Sequence, residues 1–308
     1  MKTKTLWIGF AVITLVCFAV LGFFGHEIYR QKPPVPEQVI TESGAVLFTS
    51  QQIRDGQNVW QSIGGQEVGT VWGHGAYVAP DWSADWLHKE SAYLLDKWSV
   101  NEFGLSFENL DAERQAMLKV RLQEALRTNT YTVSSGILTV SDERAEAIRN
   151  NCDHYAGLFM EDPSLDKERS SYAIPEHTIK TQDRMQAMNA FFFWAAWACV
   201  TERPGSDITY TNNWPPDQVI GNTPSAGIVL WTGFSVIMLL VGIGLLAYYN
   251  ARNRSDVLDK SLLPQNDPLG GLNPTPSMKA VLKYCWVVVG LMLVQILFGV
   301  ITAHYGVG

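Results

Sequence analysis

Leu6-Trp7-Ile8-Gly9-Phe10-Ala11-Val12-Ile13-Thr14-Leu15-Val16-Cys17-Phe18-Ala19-Val20-Leu21-Gly22-Phe23-Phe24-Gly25 runs for 20 residues without a charge. Two further stretches share this property, Ser225–Tyr249 with 25 residues and Tyr284–Ala303 with 20. A helix of about 20 apolar residues crosses a hydrocarbon core of about 30 Å, so each stretch predicts a transmembrane helix. The chain has 308 residues, and all 23 basic and 30 acidic side chains fall outside these stretches. Its mean hydropathy of zero is therefore a mixture: membrane helices joined to a water-soluble domain. A purely soluble protein is excluded, and so is a dense polytopic bundle. The 11 Trp and 13 Phe argue against intrinsic disorder, which needs a chain too polar to bury apolar surface.

A fourth apolar run, Phe191–Val200 (FFFWAAWACV), is only ten residues long and is flanked by Arg184, Glu202 and Arg203. It is too short to span and predicts a core or interfacial helix. The first stretch is long for the apolar region of a signal peptide. Phe24-Gly25-His26-Glu27 is no small-x-small cleavage site, so the reading is an uncleaved anchor.

Charge sets the orientation. The N-terminal stub and the 250–283 loop together carry net +4, whereas His26–Pro224 carries net −11. Lysine and arginine favour the cytoplasmic side. The expected organisation is a cytoplasmic stub at 1–5, a first membrane helix at 6–25 and an exported, periplasmic domain at 26–224. A second helix at 225–249, a cytoplasmic loop at 250–283, a third helix at 284–303 and a periplasmic end at 304–308 follow. The protein is thus expected in a bacterial inner membrane. An acidic exported domain disfavours nucleic acid, whose phosphates select basic surfaces.

Within 26–224 the pattern is α+β and mainly helical. Pro33-Pro34-Val35-Pro36 predicts a stiff spacer. Ser50 is expected to cap a helix through Ile53, Val59 and Trp60. Trp82, Trp86, Leu87, Leu94, Leu95 and Trp98 recur at near-helical spacing, and Leu118, Leu122 and Leu126 lie four apart within a helix over 110–126. Tyr131–Val140 predicts a strand turning at Ser134-Ser135-Gly136. Ser141 with Asp142 and Glu143 opens the next helix. Thr201–Thr223, rich in Pro, Asn and Gly, predicts an extended return to the membrane.

Little chemistry is legible from residues alone. Cys17 and Cys285 lie in apolar spans. Cys152 and Cys199 could pair, and spacing leaves that open. The six histidines, 26, 74, 88, 154, 177 and 304, show no i, i+3 or i+4 pair, so no zinc-type site is readable. His26 reads as interfacial and His154 as a surface residue. Two features remain. Gly73-His74-Gly75-Ala76-Tyr77-Val78-Ala79-Pro80-Asp81-Trp82 predicts a tight turn, either purely structural or offering carbonyl oxygens to a hard cation such as calcium. Thr302-Ala303-His304-Tyr305-Gly306 places a histidine at a membrane boundary. It is either an ordinary interfacial residue or a hydrogen-bonding partner for a quinone headgroup.

Asp55-Gly56-Gln57-Asn58-Val59-Trp60, Gly64-Gly65-Gln66-Glu67-Val68-Gly69, Val71–Trp82, Asn212-Asn213-Trp214-Pro215-Pro216 and Thr302–Val307 together carry a resemblance. The chain resembles the N-terminal portion of the single-chain, quinol-dependent nitric oxide reductase of the haem–copper oxidase superfamily. The resemblance implies three transmembrane helices and an extracytoplasmic cytochrome-c-like domain lacking haem c. In the related two-subunit enzymes a haem-attaching CxxCH precedes the Gly-x-Gly-Ala-Tyr-x-Ala-Pro turn. Aligned from Tyr77, its residues fall on Gly65, Val68 and Gly69, which cannot attach a haem.

The resemblance further implies that the Gly75 and Tyr77 carbonyls help hold calcium and that His304 binds quinol. Where the family has a glutamate four residues after that histidine, this sequence has Gly308. The complete enzyme is implied to carry haem b, haem b3, non-haem iron and calcium. It turns two NO, two electrons and two protons into N2O and water. The ligands of those metals lie in later helices, so these 308 residues alone are expected to be inactive, with no catalytic residue among them. The implied partners are membrane lipid, quinol and the remaining catalytic helices, and a homodimer is compatible with them. A non-catalytic membrane scaffold or truncated accessory subunit is the alternative.

Overall fold

The computed structural model describes residues 3–224, 226–257, 289 and 290. The chain divides into two units, Met1–Thr223 and Pro224–Gly308. The first begins with α1 (Thr3–Gln31), which runs six residues beyond the uncharged stretch. Its apolar side chains, from Trp7 to Phe24, are exposed along the helix. The second unit holds α8 (Ala226–Val257). Both helices are long and apolar enough to cross a membrane. Of the third expected span only Val289 and Gly290 are described, and they are helical. The rest of 284–303, the 258–283 part of the loop, Cys285 and His304 lie outside the described residues.

Between α1 and residue 223 stands a mostly helical domain with one small sheet. β1 (Gln38–Thr41), β2 (Val46–Thr49), β3 (Tyr131–Thr132) and β4 (Ile137–Val140) take the order β2-β1-β4-β3. β1 and β4 are parallel, with Val39 opposite Leu138. The other two pairings are antiparallel. The expected turn at 134–136 joins β3 to β4.

Five principal helices complete the domain: α2 (Ser50–Ser62), α3 (Trp82–Phe103), α4 (Ala112–Arg127), α5 (Asp142–Ala156) and α7 (Gln182–Val200). A short α6 (Asp166–Ser171) lies between the last two. The cap of α2 is Thr49 rather than Ser50. Its hydroxyl accepts from the Gln52 backbone while the Gln52 side chain accepts from the Thr49 backbone. This reciprocal box satisfies two donors that a helix start leaves unpaired. Ser141 caps α5 as expected, accepting from the Arg144 N–H.

The ten-residue apolar run is the second half of α7, the central core helix. A helix apolar on all sides must be buried on all sides, and Phe192, Phe193, Ala195, Ala196, Trp197, Ala198, Cys199 and Val200 are. α2 crosses it at Gly56, where a Cβ would lie 1.9 Å from the Ala187 carbonyl oxygen. Only glycine permits that approach.

Two linkers differ from expectation. Pro33–Pro36 is seated on the domain: the Trp194 indole donates to the Pro34 carbonyl at 2.8 Å, and Pro36 is buried. The 201–223 return is held down throughout its length. Arg127 donates to Glu202 (2.9 Å), Asn222 (2.9 Å) and the Asp207 carbonyl (2.9 Å), and Asn222 donates to the Cys199 carbonyl (2.9 Å). Buried backbone polar groups need partners, and these asparagine and arginine side chains supply them where no strand does.

Candidate functional site

The glycine-rich segments meet at the entry to α3. Gly64–Gly69 folds around a short 3-10 turn, Gly65–Val68. Trp60 donates to the Gly69 carbonyl at 3.3 Å and Trp82 donates to the Val68 carbonyl at 3.2 Å. Gly69 has φ +120 and ψ 137, and a Cβ there would lie 2.2 Å from the Trp82 Nε1. The three positions Gly65, Val68 and Gly69 therefore carry no thiol or imidazole, and an indole is packed against the last of them.

Trp82 opens an aromatic core. Its ring stacks on Phe192 with centroids 5.6 Å apart and meets Phe159 edge-on at 5.3 Å. Trp86 stacks on Tyr155 at 5.4 Å. Rings of this size bury about 150–250 Å² each and dominate a core's energetics. The Tyr155 hydroxyl donates to Asp85 at 2.6 Å. Burial first, and the Asp85 charge second, push that phenol well above its ordinary range. Behind Trp86 lies a buried ion pair, Arg144 Nε to Glu90 Oε1 at 2.6 Å, with the Trp86 indole donating to the other Glu90 oxygen at 3.0 Å.

The turn over 73–82 is organised by Asp81. Its Oδ2 accepts from the Gly73 N–H at 2.6 Å and the Thr70 hydroxyl at 2.7 Å. Its Oδ1 caps α3, accepting from the Ser83 and Ala84 N–H groups at 3.1 Å. Gly75 has φ +85 and donates to Thr70 Oγ1 at 2.8 Å. Tyr77 is fully exposed. The Asp81 carboxylate is thus spent on hydrogen bonds within the turn. Calcium takes about six to eight oxygen ligands. Among the described residues no three His, Cys, Asp or Glu side chains converge on one point.

The structure brings together two motifs that sequence spacing keeps far apart. The Trp214 indole donates to the Gly73 carbonyl at 2.9 Å, and the His74 ring meets the Trp214 ring edge-on at 4.6 Å. Trp72, at φ +58, donates to the Ala195 carbonyl at 2.8 Å. Trp214 and Gly73 are 141 residues apart, and nothing in the sequence signals their contact.

Cys152 and Cys199, whose pairing the sequence leaves open, are free thiols. Burial pushes each thiol up to about 12, so neither is a thiolate at neutral pH. His154, expected at the surface, is half-buried. Its side chain is 21% exposed and lies 3.4 Å from Glu168, beside Lys89, whose ammonium sits 3.4 Å from Asp85 and 3.6 Å from Glu168. Burial first, then Lys89, holds its imidazole below the ordinary histidine range.

Fold and site define a helical, cytochrome-c-like domain adjoining helices apolar enough to span a membrane. The family model for the cytochrome c-like domain of the nitric oxide reductase NorB matches residues 36–216. The chain belongs to that family, a membrane-bound oxidoreductase family whose complete enzyme uses haem-related cofactors. No curated protein matches the chain.

Proposed function

We propose that residues 1–308 form the anchoring N-terminal portion of a quinol-dependent nitric oxide reductase whose cytochrome-c-like domain carries no haem. The observation that supports this is the packing of Trp82 on Gly69. A covalent c-type haem requires two thiols and an axial imidazole. The matching positions Gly65, Val68 and Gly69 offer none, and the indole occupies the space an imidazole's Cβ would need. These residues do not fit the group, and no electron step is assigned to this domain. Electrons for NO reduction then come from a membrane quinol, which gives up two electrons and two protons on oxidation. His304, at the boundary after the third apolar stretch, is the residue proposed to hydrogen-bond the quinol hydroxyl.

The Gly75 and Tyr77 carbonyls would supply two of the oxygens around a calcium ion, the rest coming from the catalytic helices. In the proposed topology 26–224 is extracytoplasmic and three helices cross the membrane. Haem b, haem b3 and non-haem iron are proposed to be held outside these residues, whose apolar stretches contain no histidine. The 308 residues alone should neither show a b-type haem spectrum nor consume NO.

In the complete enzyme, His304→Ala should lower quinol-driven turnover while an artificial electron donor drives NO reduction unchanged. Unaltered quinol kinetics would remove the assignment. Gly75→Val should reduce bound calcium, and an unchanged metal content would reject the carbonyl site.

A further inference from the structure

Arg30 and Lys32 lie five and seven residues past Gly25, the end of the uncharged run of α1. In the proposed topology they lie outside the cytoplasm, where cations beside a span run against the usual bias. They match Lys2 and Lys4 at the other end one for one, so a local reason for them is needed. At 1.5 Å per residue Arg30 stands roughly 7 Å beyond Gly25. That is the depth of the headgroup layer, which occupies roughly 5–8 Å on each side of the hydrocarbon core.

At this level the return loop brings down a third cation. Arg203 donates to the Gln31 side chain, to the Tyr210 carbonyl at 3.0 Å and to Asn212 Oδ1 at 3.0 Å. All three acceptors are neutral oxygens. The Arg203 Nε is buried and has no partner among the described residues. Lys32 rests on the Tyr29 ring, its Nζ 3.9 Å from the centroid. Among the described residues neither Arg203 nor Lys32 pairs with a carboxylate. Glu27 is held by Arg30 at 2.6 Å. Arg30, Gln31, Lys32, Arg203, Pro204 and Tyr210 line one cleft of about 280 Å³. Burial pulls the Arg203 pKa down, so the site holds a cation at a cost that a bound anion would offset.

We infer that this cleft binds the phosphodiester headgroup of an anionic phospholipid in the leaflet that α1 leaves. A guanidinium and an ammonium lining one cleft suit phosphate oxygens, because charge-assisted bonds to phosphate are about twice as strong as neutral ones. A quinol brings hydroxyls and no charge, and would leave Lys32 and Arg203 uncompensated. Tyr29 and Tyr210 are amphipathic rings of the kind that sit at headgroup depth. Bound there, the lipid would fix the angle at which the domain stands on its anchor, since Arg203 belongs to the domain, Arg30 to the last turn of α1 and Lys32 to the residue after it.

The inference rests on α1 being a membrane anchor. That is checked separately, by whether the chain stays with membranes through a carbonate wash. The test itself is the melting of the delipidated full chain in neutral detergent, followed by near-ultraviolet circular dichroism. Phosphatidylglycerol at about a hundredfold excess over its Kd should raise Tm by roughly 5–10 °C, and phosphatidylcholine should raise it far less. The K32Q/R203Q double variant should lose that selectivity. Arg203 also braces the return loop, so the Arg30→Gln, Lys32→Gln pair, which leaves the loop contacts in place, must lose most of the rise as well.

Equal rises with the two lipids, or an undiminished rise in Arg30→Gln, Lys32→Gln, would overturn the site. Inorganic phosphate reproducing the full rise would overturn the lipid as its occupant. A wild-type chain that washes off the membrane would defeat the anchor reading instead. A chain that resists the wash yet shows no lipid selectivity would defeat only the inference.

Discussion

Gly69→Ala is the sharpest perturbation available at the aromatic core. The backbone there, at φ +120 and ψ 137, lies in a region that is essentially glycine's alone. Holding an alanine in it costs about 1–3 kcal/mol. The new Cβ would also lie 2.2 Å from Trp82 Nε1 and 2.9 Å from the Pro80 carbonyl oxygen. The second contact is backbone and cannot swing away, and the first belongs to a wholly buried indole stacked on Phe192. Overpacking of that kind adds about 1–3 kcal/mol. The sum, about 2–6 kcal/mol, corresponds to a fall in Tm of roughly 4–24 °C for a domain of this size.

Gly65→Ala is the internal control. Its φ is +56, with nothing within 4 Å of an added Cβ, so only the left-handed strain of about 1–2 kcal/mol applies. Both variants are made in the full chain in detergent and melted while the tryptophan signals are followed. A Gly69→Ala protein melting with or above Gly65→Ala would refute the placement of Trp82 against Gly69. The haem-free reading would then rest on residue identity at Gly65, Val68 and Gly69 alone.

Two further outcomes follow from buried charge. Glu90→Ala strands the Arg144 guanidinium in the core and should cost about 3–5 kcal/mol, whereas replacing Glu90 and Arg144 together by methionine should cost much less; denaturant midpoints of the single and double variants decide between them. His154 bears on pH. Its folded pKa lies below its unfolded value of about 6.5. The unfolded chain therefore binds the proton first, and stability falls as pH drops from about 6.5 through the lowered folded value. His154→Gln should flatten the Tm–pH slope below about pH 6.5, and an unchanged slope would assign it to other groups.

The helices were legible where one physical rule governs them. Leu118, Leu122 and Leu126 are all fully buried in α4, because a spacing of four places one stripe on one face. Ser141 caps α5 because its hydroxyl acts within three residues. The sequence errs where a side chain's partner lies far along the chain. Proline content marks 33–36 as a stiff spacer and 201–223 as an extended return, yet Trp194 and Arg127 pull both onto the domain. His154 looks like a surface residue until Glu168 and Lys89 close over it.

The sequence by itself determined two helices long and apolar enough to cross a membrane, the acidic stretch between them, and the lack of any thiol at Gly65, Val68 and Gly69, because length, charge and residue identity are local properties. Only the tertiary structure decided what stands beside those glycines. Trp82 is 13 residues from Gly69, and Phe192, which holds the indole in place, lies 110 residues beyond Trp82. No local pattern encodes such contacts. They arise when one buried helix, α7, gathers α2, α3 and α5 around itself and the rings must share the space inside.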